Sequence, residues 1–230
     1  MINSSLDKRL LSCADYVRAG AVFADVGTDH GYLPVFLLKS GRISRAVLSD
    51  VNPGPLNSAI RNVADAGLSD LCEFVLTDGA AALDGKGITD YAICGMGGEL
   101  ISDIIDAAPH LKQGDVRLIL QPMTKQGHLR RYLTTNGFSI IEERYSEADG
   151  KYYVTLVAEY LGVLRYIDES EAELGASSDH IADRVEYLGY LEAKLKACDR
   201  MIDGKCRGGL STVDEEKYRD AIIERMNLLR

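Results

Sequence analysis

Acids and glycines recur in this chain at the ends of short apolar runs, where they could hold a ligand. The densest group is Asp25-Val26-Gly27-Thr28-Asp29-His30-Gly31, which closes the run beginning at Ala21. Glycine in such a turn lets backbone approach a ligand and adopt tight geometry. A dinucleotide-binding turn reads G-x-G-x-x-G, and its second glycine faces a pyrophosphate. Here that place holds Asp29, whose charge would repel pyrophosphate. A cationic ligand fits better, although an ordinary strand-to-helix turn can carry the same residues. Asp50 ends a second apolar run, roughly 20 residues past the glycine turn. A carboxylate there can accept both hydroxyls of a ribose, or it can be a solvated strand end. Asn52-Pro53-Gly54-Pro55 follows as a stiff helix entry.

Two more turns have the same character. Thr77-Asp78-Gly79 can offer a carboxylate or form a simple Asp-Gly turn. Cys94-Gly95-Met96-Gly97-Gly98-Glu99 has three glycines, a bare wall against which a flat group could lie. Gln121-Pro122-Met123 ends a further run on the same rim. Gln121 could bond the edge of a base or serve as a cap. His30 and Tyr32 could stack on a flat substrate, though both are more often structural.

The elements that must position these turns follow from periodicity. A helix is expected over about Ser5 to Ala19, capped by Ser4 or Ser5, with Lys8, Arg9 and Arg18 off its apolar face. Strands are expected at Ala21–Val26, Arg45–Asp50, Glu73–Thr77, Tyr91–Cys94 and Val116–Leu120. Helices at Tyr32–Lys39, about Leu56–Ala64, Leu100–Ala107 and Lys125–Thr135 alternate with them. That alternation means βαβ units and a parallel sheet. Phe138–Tyr145 and Tyr152–Tyr160 break it, and Asp149-Gly150 between them predicts an antiparallel hairpin at the sheet's end. A dehydrogenase half would instead continue with another βα unit. From about Gly162 only helical stripes remain: Ile181 to Cys198, a turn at Arg207-Gly208-Gly209, and Tyr218 to Leu229. Thr212 and Glu215 have capping-box spacing. These predict a helical hairpin packed as an antiparallel coiled coil.

The series ADVGTDHGYLP, DVNPGPL, TDG, ICGMGGELI, LILQPM and DGKYYVTLVAEY, in order over about residues 6 to 160, resembles the bacterial tRNA (adenine-N1)-methyltransferase family that modifies adenosine 22. The resemblance implies an α/β, Rossmann-like class I methyltransferase fold, with a parallel sheet closed by an antiparallel hairpin and a C-terminal helical coiled-coil hairpin. It implies a catalytic domain over 1–162, a helical domain over 163–230, and S-adenosylmethionine as methyl donor. Donor-binding positions would be Asp25, Gly27, Asp29, His30, Asp50, Asn52, Asp78, Gly79, Gly95, Met96 and Gly97. The family supplies no agreed catalytic base; His30, Tyr32, Gly97 and Gln121 are the catalytic candidates. Adenine N1 is already a lone-pair nucleophile, so positioning would do most of the work. N1 lies on the Watson–Crick edge, so the target base must be unpaired or flipped out. Two other readings stay open: a methyltransferase-fold tRNA-binding protein without catalysis, and a nicotinamide-dependent oxidoreductase.

The chain has 230 residues, 46% hydrophobic and 27% charged, which reads as globular. Nothing approaches the roughly 18 apolar residues of a membrane span, and Met1 to Asp7 lack a signal-peptide core, so a cytoplasmic place is expected. The five cysteines show no C-x-x-C spacing and are expected as reduced, mostly buried thiols; no metal site is indicated. The net charge of −9 argues against general nucleic-acid binding. From Val163 on, eleven Lys and Arg face fifteen Asp and Glu. Contact with tRNA must therefore come from one face, with Lys194, Lys196, Arg200, Lys205 and Arg207 as candidates, extended by Lys8 and Arg9. The oligomeric state is left open, a monomer being slightly favoured.

Overall fold

A computed structural model describes residues 6–175 and 180–229. Seven strands form one sheet in the order β3-β2-β1-β4-β5-β7-β6. Its parallel part is β1 (Ala21–Val26), β2 (Ile43–Asp50), β3 (Cys72–Leu76), β4 (Asp90–Gly97) and β5 (Arg117–Thr124). The apolar runs of β1, β2, β4 and β5 are buried on both faces, as helices on each side require. The hairpin β6 (Phe138–Ala148) and β7 (Lys151–Tyr160) closes the edge, and β7 pairs antiparallel with both β5 and β6. Its two-residue turn puts Asp149 at φ 51° and Gly150 at φ 73°, the positive-φ pair that matches strand twist.

Helices α1 (Lys8–Ala14), α2 (Tyr32–Lys39) and α3 (Pro53–Asp65) cover one face; α4 (Gly98–Asp106) and α5 (Gln126–Thr135) cover the other. The first helix is shorter than its apolar stripe predicts. Asp7 caps it, accepting from Leu10 N at 2.7 Å. Ser4 and Ser5, the expected caps, lie outside the described residues. At its other end the chain turns so that Arg18 points inward, donating to buried Asp90 and to the carbonyls of Thr89 and Asp115.

The tail holds α6 (Glu169–Leu174), α7 (Arg184–Arg207) and α8 (Val213–Leu228). At six residues α6 is too short to show a stripe, and the sequence pattern gave no sign of it. The last two helices pack against each other around Gly208 and Gly209, as expected. The Thr212–Glu215 capping box does not form. Lys205 draws Glu215 away at 2.7 Å, and the Thr212 hydroxyl donates to Glu216 instead.

Apolar packing is continuous from sheet to tail. Tyr145 and Val154 of the hairpin share one core with Leu174, Tyr187, Leu191, Ile222 and Met226. Inside it Arg130 donates to both carboxylate oxygens of Glu143 at 2.9 Å and to Ala172 O at 2.8 Å. The Tyr145 hydroxyl accepts from Arg130 and donates to Glu143 at 2.7 Å. Arg130 and Glu143 have almost no exposed surface. Among the described residues, no helix is long and apolar enough to cross a membrane.

Candidate functional site

Parallel strands deliver their carboxyl ends to one rim, and ligands of open α/β sheets bind beyond those ends. A cleft of about 660 Å³ lies there. Its first wall comes from β1 and β2. Asp25 is buried at the end of β1 and accepts from Thr28 Oγ1 at 2.5 Å. The amides of Gly27 and Thr28 both donate to Ser49 O at 2.8 Å, which ties the turn to β2. Asp50 reaches the cleft from β2 and accepts from Asn52 N at 2.7 Å. Asp29 lines the cleft with an open side chain. Among the described residues no lysine or arginine forms an ion pair with these three acids. Burial pushes Asp25 up to about 6; the Thr28 hydroxyl holds it back, and Asp29 and Asp50 add to the rise.

The middle of the cleft is the loop after β4. Gly27 has φ 74°, and a Cβ there would collide with the Met96 methyl, so the two residues form a close, bare floor. Gly95 N donates to Gln121 Oε1 at 3.1 Å. Gln121 is fully buried, and that oxygen also accepts from Arg9 at 2.9 Å. Its role is to hold the loop, since its acceptor is already engaged.

The second wall was not anticipated. Asp7, Arg9 and Leu10 of the first helix meet Met123, Ala148, Asp149 and Tyr153. Their nearness depends on the hairpin folding back along β5, which no short motif announces. Arg9, expected as part of a tRNA-contacting track, lines the cleft.

Asp25, Gly27, Asp29, Asp50, Gly95, Met96 and the candidate Tyr32 thus line one cleft. Several other candidates lie outside its lining. His30 sits at φ 60°, stacks on Tyr32 at 5.3 Å, and has Nε2 3.3 Å from Asp29. Asn52 is the exposed N-cap of α3. Asp78 is exposed after β3, and a Cβ on Gly79 would press on Ile104. Gly97 is the N-cap of α4, with only Thr124 Oγ1 near a prospective Cβ at 3.3 Å. The crowded glycine of that loop is Gly98, whose Cβ would run into the carbonyl of Lys125.

Of the basic tail residues, Lys194 donates to the Tyr218 hydroxyl at 3.1 Å and Lys205 is bound to Glu215. Lys196, Arg200 and Arg207 are exposed, as is Lys8. Among the cysteines only Cys13 and Cys198 are buried; Cys72 and Cys94 are half-buried and Cys206 is exposed, fewer buried than expected.

Comparison with known proteins adds the following. Residues 6–156 match the methyltransferase-domain family. The tRNA (adenine(22)-N(1))-methyltransferase of Bacillus subtilis is 40% identical over 155 residues, which span 67% of this chain and 65% of that protein. The crystal structure of the B. subtilis m1A22 tRNA methyltransferase TrmK superposes with a TM-score of 0.75 at 30% identity, over 98% of this chain and 97% of the other. A Streptococcus pneumoniae protein solved in complex with S-adenosyl-L-methionine gives 0.81 at 32% identity, over 96% and 99%.

Proposed function

The chain belongs to the tRNA (adenine(22)-N(1))-methyltransferase family, and from that premise we propose that it methylates N1 of an adenine in tRNA with S-adenosylmethionine as donor. The observation that carries this reading is the cleft's first wall: three carboxylates to which, among the described residues, no lysine or arginine is paired, beside the tight turn at Gly27. Such a wall suits a ligand that brings its own positive charge, and it repels a pyrophosphate. When bound, S-adenosylmethionine supplies a methyl group activated by its sulfonium.

The residues present fit that donor. Asp50 accepts from a ribose at the end of β2. Asp25 and Asp29 face the cationic part, and Gly27 lets the Met96 side chain close against the turn as the floor on which the donor lies. Gln121 fixes the loop between donor and acceptor. No residue needs to remove a proton before attack, because N1 carries a free lone pair at neutral pH. Holding N1 and methyl in line supplies several kcal/mol. Residues 1–162 form the catalytic unit in this reading, and 163–230 help hold the tRNA. Exposed Lys8, Lys196, Arg200 and Arg207 are its phosphate contacts. In this reading the protein works in the cytoplasm.

The test uses the purified chain, unmodified tRNA and labelled donor, followed by nucleoside analysis. Formation of 1-methyladenosine at one position is the expected result. A methylated product at another atom, or none, overturns the reading. Titration with NAD and with S-adenosylmethionine separates it from an oxidoreductase; heat should appear only with the latter.

A further inference from the structure

The cleft follows the strand order of the sheet. Asp50 ends β2, Asp25 and Gly27 close β1, Gly95 and Met96 end β4, Met123 lies on β5, and Tyr153 lies on β7. Four steps of about 4.8 Å put β2 and β7 roughly 19 Å apart. Asp25, Asp29 and Asp50 gather at the β1–β2 end. At the other end stands Arg9, the one basic residue in the lining among the described residues.

The Arg9 guanidinium is fixed on three sides. One edge donates from Nη1 to Gln121 at 2.9 Å, and Nη2 donates to Asp7 at 3.4 Å. Its Cζ stands 5.9 Å from the centre of the Tyr153 ring. Two of its nitrogens are thus bonded and its centre lies over the Tyr153 ring, which holds a planar cation beside the cleft. The side chain keeps 21% of its surface exposed and lines the cleft. Guanidinium planes and aromatic rings are the surfaces on which proteins stack unpaired bases. The same Gln121 oxygen that holds Arg9 also holds Gly95, so the plane is in register with the loop after β4.

We propose that Arg9 is the platform on which the flipped-out adenine stacks, with its plane set by Gln121, Asp7 and Tyr153. The base is thereby presented edge-on to the loop after β4, across the cleft from the carboxylates. This rests on the methyl-transfer reading above. Arg9 acts here through its plane, which a lysine cannot reproduce.

Full-length protein and a tRNA transcript decide the matter, with kcat and KM for tRNA measured beside donor affinity by calorimetry. Arg9→Lys and Arg9→Ala should each lose about tenfold or more in kcat/KM for tRNA. Donor affinity should stay within about twofold of the parent, since the donor end of the cleft is untouched. Tyr153→Leu frees the plane and should cost about fivefold, while Tyr153→Phe keeps the ring and the activity. An Arg9→Lys protein as active as the parent overturns the stacking role, because charge would then suffice. Donor affinity falling in step with activity overturns it as well. If the Arg9 variants melt early, the Tyr153 pair decides: equal activity of Leu and Phe sinks the proposal. A parent protein that methylates no tRNA sinks the methyl-transfer reading itself, whereas an active parent matched by Arg9→Lys sinks only the platform.

Discussion

The molecule handles charge in two opposite ways. At the junction of sheet and tail, Arg130 and Glu143 are sealed from water and satisfied by each other, by Tyr145 and by the Ala172 carbonyl. At the cleft, Asp25, Asp29 and Asp50 gather with no lysine or arginine paired to them among the described residues, and only the His30 ring beside Asp29. Taking charge out of water is costly, and near-ideal partners offset the cost at the junction. The cleft leaves that cost standing at buried Asp25, with Asp29 and Asp50 beside it, and a cationic ligand would relieve it. Paired charge therefore marks what holds this protein together, and unpaired charge marks where it is ready to bind.

Breaking the junction should have the largest effect. Glu143→Ala leaves Arg130 buried and uncompensated, and should cost about 3–5 kcal/mol of stability by denaturant titration. A loss under about 1 kcal/mol would mean that water reaches the pair. The opposite signature is expected at the cleft. Asp50→Ala should weaken S-adenosylmethionine binding by about 1–3 kcal/mol in calorimetry. Its melting temperature should stay the same or rise, because a repelling charge is gone. If stability falls as well, the contrast drawn here fails.

Asp25 sharpens the comparison through pH. Folded, it titrates near 6, against an ordinary value of 3.8. Between these values the folded state binds more protons than the unfolded one. Stability from this group is thus present at low pH and lost as pH rises through about 4 to 6. Donor affinity should run the other way, rising over about pH 5 to 7 as the carboxylate ionises. Asp25→Asn should be more stable than the parent at pH 8 by about 1–2 kcal/mol and should flatten the affinity profile. A parent affinity independent of pH across this range would remove Asp25 from the donor's surroundings. The smallest effect is expected on the exposed tail. Lys196→Ala and Arg200→Ala should each lower the slope of log affinity for tRNA against log salt by about 1, without changing donor binding. An unchanged slope would leave the tail without phosphate contacts at these positions.

How much could be read in advance depends on how local the cause is. Strand β1 and helix α2 begin and end where their apolar patterns say. The acids of the first wall are legible for the same reason. A parallel sheet sends every strand's carboxyl end to one rim, so a turn's address follows from its place after a strand. The second wall has no such rule. Arg9 meets Gln121 across 112 residues of sequence, and Tyr153 arrives only because β7 reverses along β5. Gln121 looks free as a strand-end amide, yet the long reach of Arg9 turns it into a brace. The capping box fails likewise, because Lys205, on the neighbouring helix, outbids the local partner of Glu215. Asp78 and Gly97 stand at strand ends as expected, but the lining of the cleft does not include them.

Helix α1 carries a consequence for how the chain comes to life. Its contacts reach far ahead: Ser12 to Thr155 across 143 residues, Tyr16 to Glu142 across 126, and Asp15 to Arg144 across 129. A ribosome adding about 5–20 residues per second needs roughly 7–30 s to supply Thr155 after Ser12. During that interval the strands that carry Asp25 and Asp50 can pair, while the side of α1 that packs on the hairpin has nothing to dock on. The nascent protein therefore completes its acidic wall early and its Arg9 wall late. A polypeptide stalled before β7 would own half a cleft, and the exposed apolar side of α1 would be open to chaperones until the hairpin closes.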